Sequence, residues 1–455
     1  MRPSILTQRR SSCADSIYYD QEKFPVLWAW MGVLLLVFFC LLRSWQTLKA
    51  PGLYMEDSLL FSYYYGHFRP FSSLFVSHVG QNYLTVPPYF AAWIFSWFDV
   101  RMQPYLYQWW GFSWSVAACS VPFFSRLFRN RFILLLGPTV LGLVGLNDIY
   151  YWNTLIYSMY TGLLVLFSLL FYPPPKTWPG SAALVLLFIV LPWSGPYCVL
   201  LLPAGIIYLL LFGRDRKTLP IVAGICSTIV YFMTVQSHTT RLDQLKPMVV
   251  TRYLQVLVDK VLFLQLANGI SLYWLVAVML LLIFSWYCFR ADPCFIKNIT
   301  IMLCFVFGSL SLFFLSVKYP MYGHTLACHR LISTFFWLIV LLYISDRYLV
   351  QYTPPWPVSF AVLLGFASLV VLLNIRYPSL GRVSAIQRLD DFTRGIAWCE
   401  QVVGRQKNTY IIFRRPTSVP VMQLRVRIGS NRPDAVCIGS DNLPRASWKR
   451  FATCQ

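Results

Sequence analysis

Val26-Leu-Trp-Ala-Trp-Met-Gly-Val-Leu-Leu-Leu-Val-Phe-Phe-Cys-Leu-Leu-Arg43 decides the class of this chain, because no charge interrupts it between Val26 and Leu42. A helix rises 1.5 Å per residue, so a run of this length reaches across most of a hydrocarbon layer roughly 30 Å thick. No small-residue cleavage site follows it, and it reads as a retained transmembrane helix instead of a signal peptide. Working outward from 26–43, further apolar runs lie near 104–124, 132–147, 154–172, 181–193, 196–212, 218–235, 271–289, 299–316, 331–346 and 357–374. That pattern predicts an all-α polytopic membrane protein of about eleven spans. A membrane barrel would instead show alternating stretches of about ten residues, and no such alternation dominates.

Composition leads to the same class. The 455 residues are 57% hydrophobic, 18% aromatic and 12% charged, whereas soluble domains are about 45–50% apolar and about 25% charged. A net charge of +21 would suggest nucleic acid in a soluble protein. Here Lys and Arg sit between the apolar runs and in the tail, so membrane lipids with anionic headgroups are the simpler partner and no nucleic acid is expected. The aromatic groups Tyr63-Tyr64-Tyr65, Trp109-Trp110 and Tyr150-Tyr151-Trp152 suit the two membrane interfaces. Twelve Cys form no metal-like pair, and most lie in apolar runs where a thiol acts as a small hydrophobe. Cys399, Cys437 and Cys454 in the polar tail leave one disulfide open as an option.

Short basic linkers set the expected orientation. Arg126, Arg129 and Arg131, Lys176, Arg214, Arg216 and Lys217, Arg290 and Lys297, and Arg347 all fall on one side of the alternating spans, with Arg2, Arg9 and Arg10. By the positive-inside rule that side, with residues 1–25, is cytoplasmic. An odd number of spans then puts residues 376–455 outside despite their basic character, since long segments translocate largely regardless of charge. In that tail, 389–403 has helical spacing while 409–413 and 421–428 read as strands, which predicts a small extracytoplasmic α/β appendage beyond the 26–375 membrane domain.

The polar chemistry gathers in outward loops. Only 17 residues are acidic, yet Glu56 and Asp57 stand side by side in the first outer loop, 44–103. The same loop holds two amphipathic stretches, 58–68 and 88–98, suited to helices lying in the interface. Loop 236–270 carries His238, Arg241, Asp243, Lys246, Arg252, Asp259 and Lys260, and loop 317–330 carries Lys318, Tyr319, Tyr322, His324, His329 and Arg330. Asp148 and Asn153 lie at the outer turn between the third and fourth spans, and Trp193-Ser194-Gly195-Pro196 at the turn between the fifth and sixth.

Glu56-Asp57-Ser-Leu-Leu-Phe61, Asn147-Asp148-Ile-Tyr-Tyr-Trp152-Asn153, Ser194-Gly195-Pro196 and His329-Arg330 follow one another in an order that resembles the GT-C class of membrane glycosyltransferases. The likeness is to a bacterial group with an early Glu-Asp element and a lipid-linked sugar donor. Ser58 stands where that group often has Gly, and Cys-His-Arg-Leu replaces an Arg-Tyr element late in the chain. The resemblance implies a GT-C-like helix bundle in the bacterial inner membrane, N-terminus cytoplasmic and C-terminus periplasmic. It further implies transfer of a sugar from a polyprenyl-phosphate donor to a glycan or lipid acceptor of the cell envelope. Asp57 would be the general base, with Glu56 orienting it or binding acceptor hydroxyls. Arg330 would clamp the donor phosphate through its planar fork, with His329, His324 and Tyr322 nearby, and Asp148 and Asn153 would hold sugar hydroxyls. No cofactor is called for; His324 and His329 leave a divalent metal open as an alternative to phosphate binding, but no HxxxH pattern supports it.

Plainer readings stand beside each role. Asp57 is well placed to cap the helix expected over 58–68, Arg330 to snorkel, Asp148 and Asn153 to cap helices, and the Ser-Gly-Pro turn to supply geometry alone. Asn298-Ile299-Thr300 matches a glycosylation sequon but lies on the expected cytoplasmic side. A polysaccharide polymerase or a lipid-linked-sugar flippase would share the many spans. A conduit, however, is expected to place ionisable residues in mid-membrane and to carry an internal repeat; no repeat is found and nearly all the acids lie in loops or the tail.

Overall fold

The computed structural model describes residues 25–49, 57, 60, 64, 70–75, 84–99, 102–125, 127–145, 155, 158–213, 217–235, 253, 257, scattered positions between 279 and 292, residues 293–316 and 327–352, residue 365, and four strands after residue 407. The chain is mostly helical. The α-helices are α1 Val26–Lys49, α2 Val86–Phe95, α3 Gln103–Phe124, α4 Arg131–Gly145, α5 Ser158–Phe171, α6 Trp178–Val190, α7 Leu201–Phe212, α8 Thr218–Thr234, α9 Pro293–Ser316 and α10 Ala327–Tyr352. Short 3-10 turns cover Phe71–Phe75, Leu191–Ser194 and Pro196–Leu200. Two segments, Cys294–Leu312 in α9 and Ile332–Val350 in α10, are long and apolar enough to cross a membrane.

These helices match the apolar runs through the seventh and again at the ninth and tenth. Several boundaries differ: α1 continues to Lys49, into the expected outer loop, α2 starts at Val86, two residues before the amphipathic stretch, α9 starts at Pro293, ahead of 299, and α10 extends beyond 331–346 at both ends. The eighth run is helical at its described positions between 279 and 289, and the eleventh lies outside the described residues except Gly365, so the total of eleven rests on sequence alone. Polar residues start several helices. Asn130 Oδ1 accepts from the N–H groups of Phe132 at 2.9 Å and Ile133 at 3.4 Å, capping α4. Asp292 Oδ1 accepts from Cys294 at 2.9 Å and Phe295 at 3.2 Å, with Pro293 in the first turn of α9.

Helix α5 is the centre of the bundle, buried along nearly its whole length. Phe167 meets Phe305 of α9 and Phe336 of α10 with ring centroids 5.0 Å apart in each case. Small residues allow close crossings elsewhere: a side chain at Gly32 would meet the Leu134 carbonyl, and one at Gly142 would meet Leu36, so α1 and α4 run side by side in the same direction. Ser309 and Ser333 hydroxyls pair at 2.7 Å between α9 and α10, which run oppositely. Many large apolar side chains remain outside the bundle, among them Leu34, Leu186, Leu210, Leu219 and Met233, a surface suited to lipid.

The contacts sort into two ends. At one, Asp346 near the end of α10 is fully buried and its Oδ1 accepts the N–H groups of Arg129 at 2.8 Å and Asn130 at 2.7 Å. Arg347 pairs with Asp292 at 3.8 Å and lies over the Tyr343 ring, and Asn298 Nδ2 donates to Tyr343 Oη at 3.0 Å. Lys217 Nζ donates to the Leu170 carbonyl at 2.7 Å. All of these are residues of the basic linkers or their neighbours. Asn298 is buried in this network, so its sequon offers no glycan acceptor. At the other end, Tyr231 Oη donates to the Leu84 carbonyl at 3.0 Å, and the Phe75 ring meets Trp193 at 5.9 Å.

Beyond the bundle, β1 Asn408–Arg414, β2 Leu424–Gly429, β3 Ala435–Ser440 and β4 Lys449–Phe451 form one sheet in the order β2-β1-β3-β4. β1 lies antiparallel to β2 and parallel to β3, and β3 antiparallel to β4. β1 and β2 fall where the tail's alternation predicts strands; the helical spacing at 389–403 lies outside the described residues.

Candidate functional site

The end of the bundle opposite the basic linkers holds Asp57. Positions 57, 60 and 64 are helical and all three are buried, as residues sharing one face of a helix are. Asp57 has no exposed surface, and Leu155 N–H donates to its Oδ2 at 2.9 Å. A buried carboxylate is costly unless hydrogen-bonded, and an amide donor to a charged acceptor contributes about 1.5–3 kcal/mol. Asp57 therefore occupies a helical position and reaches a distant backbone amide.

That amide belongs to the approach to α5. The Leu155 carbonyl accepts from Ser158 N–H at 3.1 Å and Ser158 Oγ at 2.6 Å. The Ser158 carbonyl in turn accepts from Trp114 Nε1 at 3.0 Å and Thr161 Oγ1 at 3.1 Å. One turn further on, Gly162 faces the Ser-Gly-Pro turn: a Cβ there would stand 3.0 Å from Ser194 Oγ. Gly195 has φ 157° and ψ 176°, a conformation nearly confined to glycine, and a Cβ on it would lie 3.3 Å from Met159 Cβ. The first turns of α5 thus join the loop carrying Asp57, the segment after Asn153 and the turn at Ser194.

Aromatic residues close the surroundings. Tyr107, in the first turns of α3, is fully buried within electrostatic reach of Asp57 and Tyr64, and its ring meets Phe95 at 5.7 Å. Tyr64 packs edge-on to Tyr89 of α2 at 6.3 Å, and Tyr160 meets Tyr197 at 5.3 Å. The Tyr107 hydroxyl and Ser194 Oγ are buried without a hydrogen-bond partner among the described residues.

Of the other residues singled out in the sequence, Glu56, Asp148, Asn153, Tyr322 and His324 lie outside the described residues. His329 and Arg330 occupy the first turn of α10. The Phe167–Phe336 contact fixes α5 and α10 level with each other, and each helix begins the same number of residues before its ring. The two run in the same direction, since the end of α5 is tied to Lys217 and that of α10 to Arg129 and Asn130, at the basic end. The backbone of His329 and Arg330 is therefore at the end that holds Asp57. Among the described residues no group of three or more His, Cys, Asp or Glu is arranged to hold a metal ion. Sequence reading passed over Tyr107, Trp114 and Ser158; the polar run Gln103-Pro-Tyr-Leu-Tyr-Gln108 opening an apolar span was a visible signal for the first.

Comparison of the chain with protein-family models, with curated proteins and with solved structures returns no match.

Proposed function

We propose that this protein is a membrane glycosyltransferase of the GT-C type, acting on the outer face of a bacterial inner membrane. It moves a sugar from a polyprenyl-phosphate donor to a cell-envelope glycan or lipid. The observation that carries this reading is the convergence on the first turns of α5: the loop of the acid pair, the segment following Asn153 and the Ser194-Gly195 turn meet there. In the proposed reaction an acceptor oxygen attacks the anomeric carbon while a first-loop carboxylate takes its proton. The bond from that carbon to the lipid phosphate breaks, and the phosphate leaves with the electron pair. Arg330 and His329, with His324 and Tyr322, receive the phosphate charge, and Asp148 and Asn153 hold sugar hydroxyls.

The distribution of charge favours surface chemistry over a conduit. In α3, α5, α6, α7 and α8 no Asp, Glu, Lys, Arg or His occurs, and in α9 and α10 these residues stand near the ends. A transport path is expected to carry ionisable groups at mid-depth. The test compares surface glycans and lipid-linked sugars, by mass spectrometry, in cells lacking the protein and in cells producing Asp57→Asn. Accumulated donor and a missing sugar in both is the expected result. A wild-type glycan in the deletion would exclude the proposed activity.

A further inference from the structure

The pairing of the four C-terminal strands sorts their residues onto two unlike faces. Residues paired across a ladder share a face, as do alternate residues along one strand. Arg425 pairs with Ile412, Ile412 with Ile438 and Ile438 with Lys449, which makes one row across all four strands. The next row on that face runs Arg427, Tyr410, Val436, Phe451, and Arg414, paired with Ser440, belongs to the same face. The opposite face carries Ile411, Phe413, Val426 and Ile428, with Arg450 its one charged residue among the strands. No strand contains an acid.

We infer that the face bearing Arg414, Arg425, Arg427 and Lys449 is a docking surface for the anionic headgroup plane of a lipid bilayer. The inference goes beyond the catalytic reading and needs only that the chain is a membrane protein. In the order β2-β1-β3-β4, the cations of this face stand on the outer strands β2 and β4 and at the end of β1. Ile412, Tyr410, Val436 and Ile438 occupy the two inner strands. Neighbouring strands lie about 4.8 Å apart, so Arg425 and Lys449 frame an apolar centre about 14 Å wide. That layout matches the graded chemistry of a bilayer surface, where cations meet lipid phosphates and apolar and aromatic groups settle at the boundary with the acyl chains. A soluble polyanion is matched better by an unbroken cationic track, and gains nothing from the apolar centre. The sheet also follows the apolar runs in the same chain, which raises its effective concentration at the membrane.

The test uses the full-length protein in nanodiscs of phosphatidylcholine alone, or of phosphatidylcholine and phosphatidylglycerol in equal parts. A photo-crosslinking benzoylphenylalanine replaces Ile438 on the proposed face or Ile411 on the other, and lipid adducts are measured by mass spectrometry. Adducts should form at 438 in the anionic discs, and fall several-fold in phosphatidylcholine alone. They should fall likewise between about 0.1 M and about 1 M salt, where the screening length drops from about 10 Å to about 3 Å. Position 411 should give few. A cation near an anionic surface is worth about fivefold in partitioning, so Arg425→Gln with Arg427→Gln should lower the ratio of docked to free sheet about 25- to 30-fold. Arg425→Lys with Arg427→Lys should leave it near the unsubstituted level, which separates loss of charge from loss of fold. Equal yields in the two lipids, adducts as abundant at 411 as at 438, or loss in the lysine pair as well would overturn the inference. So would binding of heparin without any lipid adduct, which would make a soluble polyanion the partner. None of these outcomes depends on sugar transfer.

Discussion

Replacing Asp346 gives a measurable test of how the bundle is held at its basic end. Both amide donors, Arg129 at 2.8 Å and Asn130 at 2.7 Å, converge on the same atom, Oδ1, of a side chain with no exposed surface. Each bond to a charged acceptor contributes about 1.5–3 kcal/mol, so Asp346→Ala should cost roughly 3–5 kcal/mol once both donors lose their acceptor. Asp346→Asn can present its amide oxygen at the Oδ1 position and keep both bonds in neutral form, at a cost of about 1–2 kcal/mol. The assay is the rate at which detergent-solubilised protein loses its monodisperse peak on heating, because unfolding of such proteins is usually irreversible and a rate is the meaningful quantity. The order of loss should be Ala, then Asn, then wild type. An alanine variant as durable as the asparagine variant would refute the assignment of Asp346 as the tie between α10 and the α3–α4 connection.

Two further outcomes follow from the packing. Cys226 is an exposed free thiol in the middle of α8, so a water-soluble maleimide should leave it unmodified in sealed proteoliposomes and modify it after dissolution in detergent and denaturation; fast labelling in intact vesicles would mean that α8 does not face lipid. Gly162→Val should destabilise the protein by about 1–3 kcal/mol through overpacking against Ser194, and Ser194→Gly should restore part of that loss. Additive losses in a heat-inactivation series would show that α5 and the turn do not press on each other there.

The helices were legible because unbroken apolar runs of about 15 to 20 residues are too long for strands, and caps such as Asn130 before α4 and Asp292 ahead of Pro293 mark their starts locally. The acid pair was visible for a different reason: carboxylates are rare in this chain. Its geometry was not. Asp57 finds its amide 98 residues away and Asp346 finds its amides 216 and 217 residues away, and no local pattern encodes a partner at that distance. Beside any capping of the helix at 57, 60 and 64, Asp57 makes a long-range bond that its local sequence does not announce. Lys217 looked like one more basic linker residue, yet it is buried with its ammonium on the Leu170 carbonyl. Burial of that kind depends on which helices become neighbours, which the order of apolar runs does not state.

The 98-residue separation between Asp57 and Leu155 also sets an order of events during synthesis. At about 5–20 residues per second, the carboxylate is made roughly 5–20 s before the amide that will receive it. Through that interval α2, α3 and α4 are added, so the bond between Asp57 and Leu155 waits for all three. The tie that holds position 57 to the entry of α5 therefore closes only after the intervening helices have been made.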